Sequence, residues 1–179
     1  MPDASASLIT DELRAAIGVE WPPITSCDPV QSSEVRRFAQ ATMDASRIYY
    51  DEAYARERKY GGLTAPGSFP ITFPRRRAPG TPDPIVPGPG VSEAEAAIGR
   101  SGPQIPWPPQ LKVFHAYSDL EVYQHARLGE YITMRRRIVD VYERAGRRGM
   151  LLFVVTENVF TNQAGDVLCT ERYVDVGHE

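Results

Sequence analysis

The residues that could do chemistry gather in one stretch, ATMDASRIYYDEAYA, residues 41–55. It has the layout of a catalytic loop between two helices. Asp44 ends one helix, and five residues later, where such a loop often carries a histidine, stands Tyr49. A carboxylate and a histidine so spaced can share one water and move its proton, which is general acid–base catalysis. Tyrosine is a poor base at neutral pH, because its ordinary pKa is about 10. Tyr49 can orient a water, donate a hydrogen bond or fill space, and Tyr50 likewise suits packing or lining a pocket. Asp44 has a plainer role too, since aspartate in turns commonly bonds to nearby backbone.

Two helices must flank this loop. SSEVRRFAQATMD carries Val35, Phe38, Ala39 and Thr42 or Met43 at helical spacing, Ser32 or Ser33 to cap it and Glu34 in its first turn. YDEAYARERKYGG starts acidic, ends basic and stops at Gly61 or Gly62. In LTAPGSFPITF, Pro66 and Gly67 mark a turn into a third, mostly apolar helix, with Pro70 tolerated in its first turn. Upstream, residues 8–16 suit a short helix, and IGVEWPPITSCDPV allows only an irregular or edge strand.

Residues 74–109 hold ten of the sixteen prolines and five of the fourteen glycines. They read as a long inserted loop, with a helical turn or two at most in VSEAEAAIGR. A loop of that length is a lid, a partner contact or plain surface. From residue 111 on, strand follows strand. LKVFHAYSDLEVYQHA is rich in β-branched and aromatic residues. YITMRRRIVDVYERA shifts phase near Val139, which predicts a bulge. MLLFVVTENVF, apolar on both faces at its start, reads as a central strand. TNQAGD is a hairpin loop with Gly165 at a positive φ, and VLCTERYVDV is the last strand. One strand, then helices, then an antiparallel meander makes a single α+β domain over 1–179.

Composition narrows the function. Hydrophobic residues make up 42% and charged residues 24%, enough for one sizeable core. A formal net charge of −3 argues against a nucleic-acid partner. The arginine runs 75–77 and 135–137 could hold a phosphate locally, or simply be solvated. Cys27 and Cys169 match no metal spacing and read as reduced thiols of a cytoplasmic chain. No stretch is long and apolar enough to span a membrane. Among the histidines, His178 is near the end. His115 and His125, both odd-numbered on the same or an adjoining strand, should share a face but lie too far apart for one metal ion, so no metal site is expected.

These stretches together resemble the MaoC-like dehydratases, the (R)-specific enoyl-thioester hydratases of hotdog fold. The likeness is strongest to the branch that forms the N-terminal half of a double hotdog, the fatty-acid-synthase-type dehydratase domain. EVRRFAQATMD is similar to the family's helix ending in aspartate. YYDEAYARERKYGGLTAPGSF is similar to its second helix and the entry to its long central helix. The run from Glu121 to Val174 is similar to its paired strands, including a corner at Leu128-Gly129-Glu130. The likeness covers 17–73 and 111–176, leaving the 74–109 insertion outside.

The resemblance implies roles. The family's loop reads Asp, any residue, Asn, Pro, any residue, His. Here Asp44 keeps the aspartate, Ser46 and Arg47 take the Asn and Pro places, and Tyr49 replaces the histidine. Gly67 corresponds to the glycine whose backbone N–H receives the thioester oxyanion, with Ser68 and Tyr50 beside it in the substrate site. The chain is then expected to be a subunit of an (R)-specific enoyl-thioester hydratase or 3-hydroxyacyl-thioester dehydratase. It would be the degenerate half that shapes the acyl pocket beside a catalytic hotdog partner, and inactive alone. No cofactor is implied beyond coenzyme A or an acyl-carrier protein as carrier of the substrate. The alternative is a non-catalytic acyl-thioester-binding or scaffold hotdog, a homodimer. A thioesterase would need a carboxylate near the central helix, and Glu52 and Glu57 read as exposed.

Overall fold

The computed structural model describes residues 7–75, 105–147 and 149–179. Most of the Pro/Gly-rich insertion, from 76 to 104, therefore lies outside the described residues, as do VSEAEAAIGR, Arg76, Arg77 and Arg148.

Five antiparallel strands form one sheet: β1 (Ile24–Thr25), β2 (Lys112–Val122), β3 (Thr133–Gly146), β4 (Gly149–Thr161) and β5 (Val167–His178). Their order is β1-β3-β4-β5-β2. Hence β4 is central, as its apolar start predicts. Its even positions, Leu152 through Phe160, are buried, and its odd positions are half-buried. The pleat thus turns the even set onto the face that the rest of the chain covers. The expected bulge in β3 falls at Val139, between Ile138 and Asp140, so that Ile138 and Val141 both face inward. Gly165 has φ +90° in the β4–β5 hairpin, as expected.

Two apolar cores lie on the inner face. One joins Val35 and Ala39 of α2 (Ser32–Ala41) to Tyr49, Phe69, Met134, Phe160 and Cys169. The other joins Leu13 of α1 (Asp11–Ala16) to Leu111, Ile138, Leu152 and Val154. A row of polar residues runs across the strands between them. Arg136 Nε donates to Asn158 Oδ1 (2.7 Å), Asn158 Nδ2 to Glu171 Oε2 (2.8 Å) and Ser118 Oγ to Glu171 Oε1 (3.2 Å). Asn158 and Glu171 are buried, and the row satisfies them.

The helices are shorter than the sequence suggests. α3 spans only Glu52–Glu57, capped by the Asp51 carboxylate on the Tyr54 N–H (3.0 Å). The third helix, expected to be the start of a long central one, is two 3-10 turns within the described residues, Phe69–Ile71 and Phe73–Arg75. Pro70 and Pro74 explain this. Each lacks an N–H to give to an α-helical ladder, and each disfavours α geometry in the residue before it. Phe69 is fully buried, with its ring 5.4 Å from Phe38 and 4.9 Å from Phe73. Packing, not helix propagation, holds this segment.

Candidate active site

The loop is set by an unusual backbone. After α2, Met43 has φ +55°, and the Asp44 N–H returns to the Ala39 carbonyl (2.9 Å). Asp44 therefore lies in the turn beyond the helix, not at its end. The Ser46 N–H donates to Asp44 Oδ1 (3.1 Å). A 3-10 turn, Arg47–Tyr49, then buries Tyr49, and its hydroxyl donates to Asp44 Oδ2 (3.1 Å). Burial first, then the bond to Asp44, pushes the Tyr49 phenol up to about 12. Tyr49 is thus a neutral donor that occupies one carboxylate oxygen, while Asp44 itself is exposed. Tyr50 is exposed and bonds its hydroxyl to the Ala45 carbonyl (3.2 Å), outside this contact.

Backbone bonds draw three segments together. Thr64 N–H donates to Ile48 (3.2 Å), Ala65 N–H to Ala126 (2.8 Å) and Phe69 N–H to Pro66 (2.9 Å), the last closing the turn that contains Gly67 and Ser68. Gly67 suits a close approach: a Cβ there would sit 3.0 Å from both methyls of Val122 on β2, which would have to shift. Its N–H makes no backbone bond to any described residue.

His125 also belongs to this group, which the sequence reading missed. The strand ends at Val122, and Tyr123 and Gln124 both donate N–H to the Leu168 carbonyl (2.9 and 3.1 Å). That double bond to one acceptor breaks the alternation on which the odd-number argument relies. His125 instead turns to the loop. Its ring is 6.5 Å from Tyr49 and 5.2 Å from Tyr60, and Nδ1 is 2.7 Å from the Ala65 carbonyl. The signal was the corner at Gly129, φ +86°, which shows that the chain has left the strand.

His115 lies elsewhere, also displaced by a bulge between His115 and Tyr117. Its ring stacks on Tyr173 at 4.2 Å, with Nδ1 3.9 Å from Asp175 Oδ1. That is too long for a hydrogen bond. Burial pushes the Asp175 carboxyl up to about 6, against the pull of His115 and Arg136. Because this folded pKa is raised, its stabilising effect is full at about pH 4 and is lost as pH rises through about 6. Asp175→Asn is expected to match the wild type at about pH 4 and to exceed it by about 1–2 kcal/mol at about pH 8. Urea midpoints at the two pH values check this.

Two of the arginines in the run 135–137 are engaged by neighbouring side chains. Arg136 faces inward, over the Trp21 ring (5.1 Å), and Arg137 pairs with Glu157 (2.6 Å). Among the described residues, no cluster of His, Cys, Asp and Glu could hold a metal ion, and no helix is long and apolar enough to cross a membrane. Cys169 is buried, which pushes its thiol up to about 12. A cavity of 240 Å³ opens at the β3–β4 hairpin beside Arg147, Met150 and His178, and no loop residue borders it.

Residues 15–171 match the family model for the FAS1-like dehydratase domain region. The chain belongs to this family. This dehydratase-region chain is 26% identical over 137 residues to a UPF0336 protein of Thermobifida fusca (strain YX), 76% of its own length and 75% of that protein's. It is similar in structure to the ChsH1–ChsH2 complex from Mycobacterium tuberculosis, with TM-score 0.66 and 17% identity, covering 92% of this chain and 86% of that one. It is also similar to the C-terminally truncated HadBC complex of that organism, a 3R-hydroxyacyl-ACP dehydratase, with TM-score 0.56 and 18% identity, covering 91% and 99%. At these identities the structures show the fold, which is the hotdog fold of the MaoC-like dehydratases and (R)-hydratases.

Proposed function

We propose that this chain is one half of a two-hotdog hydro-lyase that interconverts trans-2-enoyl and (R)-3-hydroxyacyl thioesters. The observation that carries this reading is the Tyr49–Asp44 bond at 3.1 Å. It leaves the family's loop in place with a neutral phenol where a base is needed, so the main water-activating pair comes from a second hotdog. Coenzyme A or an acyl-carrier protein carries the substrate, and this half shapes the acyl site around Gly67 and Ser68.

An exposed sheet edge supports a partner in this reading. All eleven residues of the edge strand β2 are exposed, including Phe114, Tyr117 and Leu120. A long, apolar, unpaired edge is a template for another strand. Two of the structural neighbours are complexes of two named components, ChsH1–ChsH2 and HadBC, which supports a hotdog partner.

The test is hydration of crotonyl-CoA, followed by loss of enoyl absorbance. It compares the chain alone with the chain mixed with a hotdog protein encoded beside it. The mixture is expected to exceed either component by about a hundredfold or more. Thioester binding without any turnover in the mixture would instead support the non-catalytic homodimer.

A further inference from the structure

The fold brings to the loop the nitrogen that residue 49 lacks. The Ala65 carbonyl can only accept, so the 2.7 Å contact fixes the hydrogen on His125 Nδ1. In the neutral ring the lone pair is then on Nε2, and Nε2 makes no hydrogen bond to any described residue. His125 is also held firmly. Ala65 is bonded on both sides, by its carbonyl to the ring and by its N–H to Ala126. The rings of Tyr49 and Tyr60 flank the imidazole. An acceptor nitrogen so fixed, half-buried and next to the Gly67 turn, has the setting of a general base.

A second observation points to a polar guest. Thr64 is 1% exposed, and its hydroxyl is the one buried side-chain polar atom among the described residues with no hydrogen-bond partner. It precedes Ala65 in the same segment, tied to Ile48 by its N–H. Orphaned buried hydroxyls are uncommon, and a bound water or ligand is the usual answer.

We propose that His125 is a catalytic residue of this half, the base and then the acid that adds water to an enoyl thioester, giving the chain a slow hydratase activity of its own. The proposal rests on the thioester chemistry assigned above but not on the partner. His125 Nε2 takes a proton from water as the water oxygen bonds to C3. The C2–C3 π pair shifts toward C2 and the thioester. The imidazolium then returns its proton to C2, so one water is added and the ring is restored. No oxidant, reductant or metal enters the balance.

The full chain, without partner, is assayed with crotonyl-CoA and trans-2-octenoyl-CoA. Slow turnover above buffer is expected with at least one of them. His125→Asn keeps an N–H for the Ala65 carbonyl but loses the base, and is expected to lower that rate about tenfold or more. His125→Ala is expected to lose it as well and to recover several-fold with added imidazole, which a purely structural role does not predict. A wild-type rate in His125→Asn overturns the proposal. So does a folded His125→Ala that imidazole leaves unchanged, or a wild-type chain silent toward both substrates. A silent chain whose mixture with the second hotdog is active overturns His125 alone and leaves the two-hotdog reading standing. Silence in the mixture too removes the shared thioester reading.

Discussion

Tyr49→His is expected to raise the hydration rate of the chain alone about a hundredfold. The carboxylate that would face the new ring is already held in place. Asp44 Oδ1 is held by the Ser46 N–H, and its Oδ2 already accepts a bond from the side chain at 49. An imidazole in place of the phenol would give that carboxylate a partner that can release and regain a proton near neutral pH. Tyr49, about 12 in the folded chain, cannot. Tyr49 is only 7% exposed and packs in the first apolar core, so the smaller ring should cost about 1–2 kcal/mol of stability. Thermal melts separate that loss from the kinetics. Asp44→Asn in the Tyr49→His background should cancel the gain. A double variant as fast as the single one would show that Asp44 has no part in the chemistry.

The second large effect concerns assembly. Phe114→Arg with Leu120→Lys should weaken the complex with a second hotdog by about 30-fold or more for each anchor removed. Phe114 and Leu120 are 53% and 38% exposed in the lone chain. They project to opposite faces of β2, in register with Val176 and Glu171. Changing them should alter the stability of the lone chain by no more than about 1 kcal/mol. In an assembly built through this edge, both positions would be covered, and a charge there would be desolvated. Sedimentation of the mixture reads the difference. Unchanged association would place the partner on another surface.

The strands were legible because alternation and turn chemistry agree. In β4 every second residue is buried, and Gly165 takes the positive φ its hairpin needs. The bulge at Val139 was visible as a phase shift in the apolar pattern. The third helix was not, because a mostly apolar run hides the joint effect of Pro70 and Pro74. Asp44 and Tyr49 could be singled out by spacing, yet their direct bond depends on Met43 at φ +55°, a conformation that a methionine does not advertise. His125 was lost to a parity argument that fails once two successive N–H groups share the Leu168 carbonyl. Gly67 was found through its turn, but the physical demand on it, the approach of Val122, is visible only in three dimensions.

The Tyr49–Asp44 contact also has a genetic consequence. Tyrosine and histidine codons differ only in their first base, by one transition. Part of the scaffold around the position, the left-handed Met43 and the Ser46 N–H on the carboxylate, is supplied by other residues. Exchange of the phenol for an imidazole at residue 49 is therefore one point mutation long, in either direction.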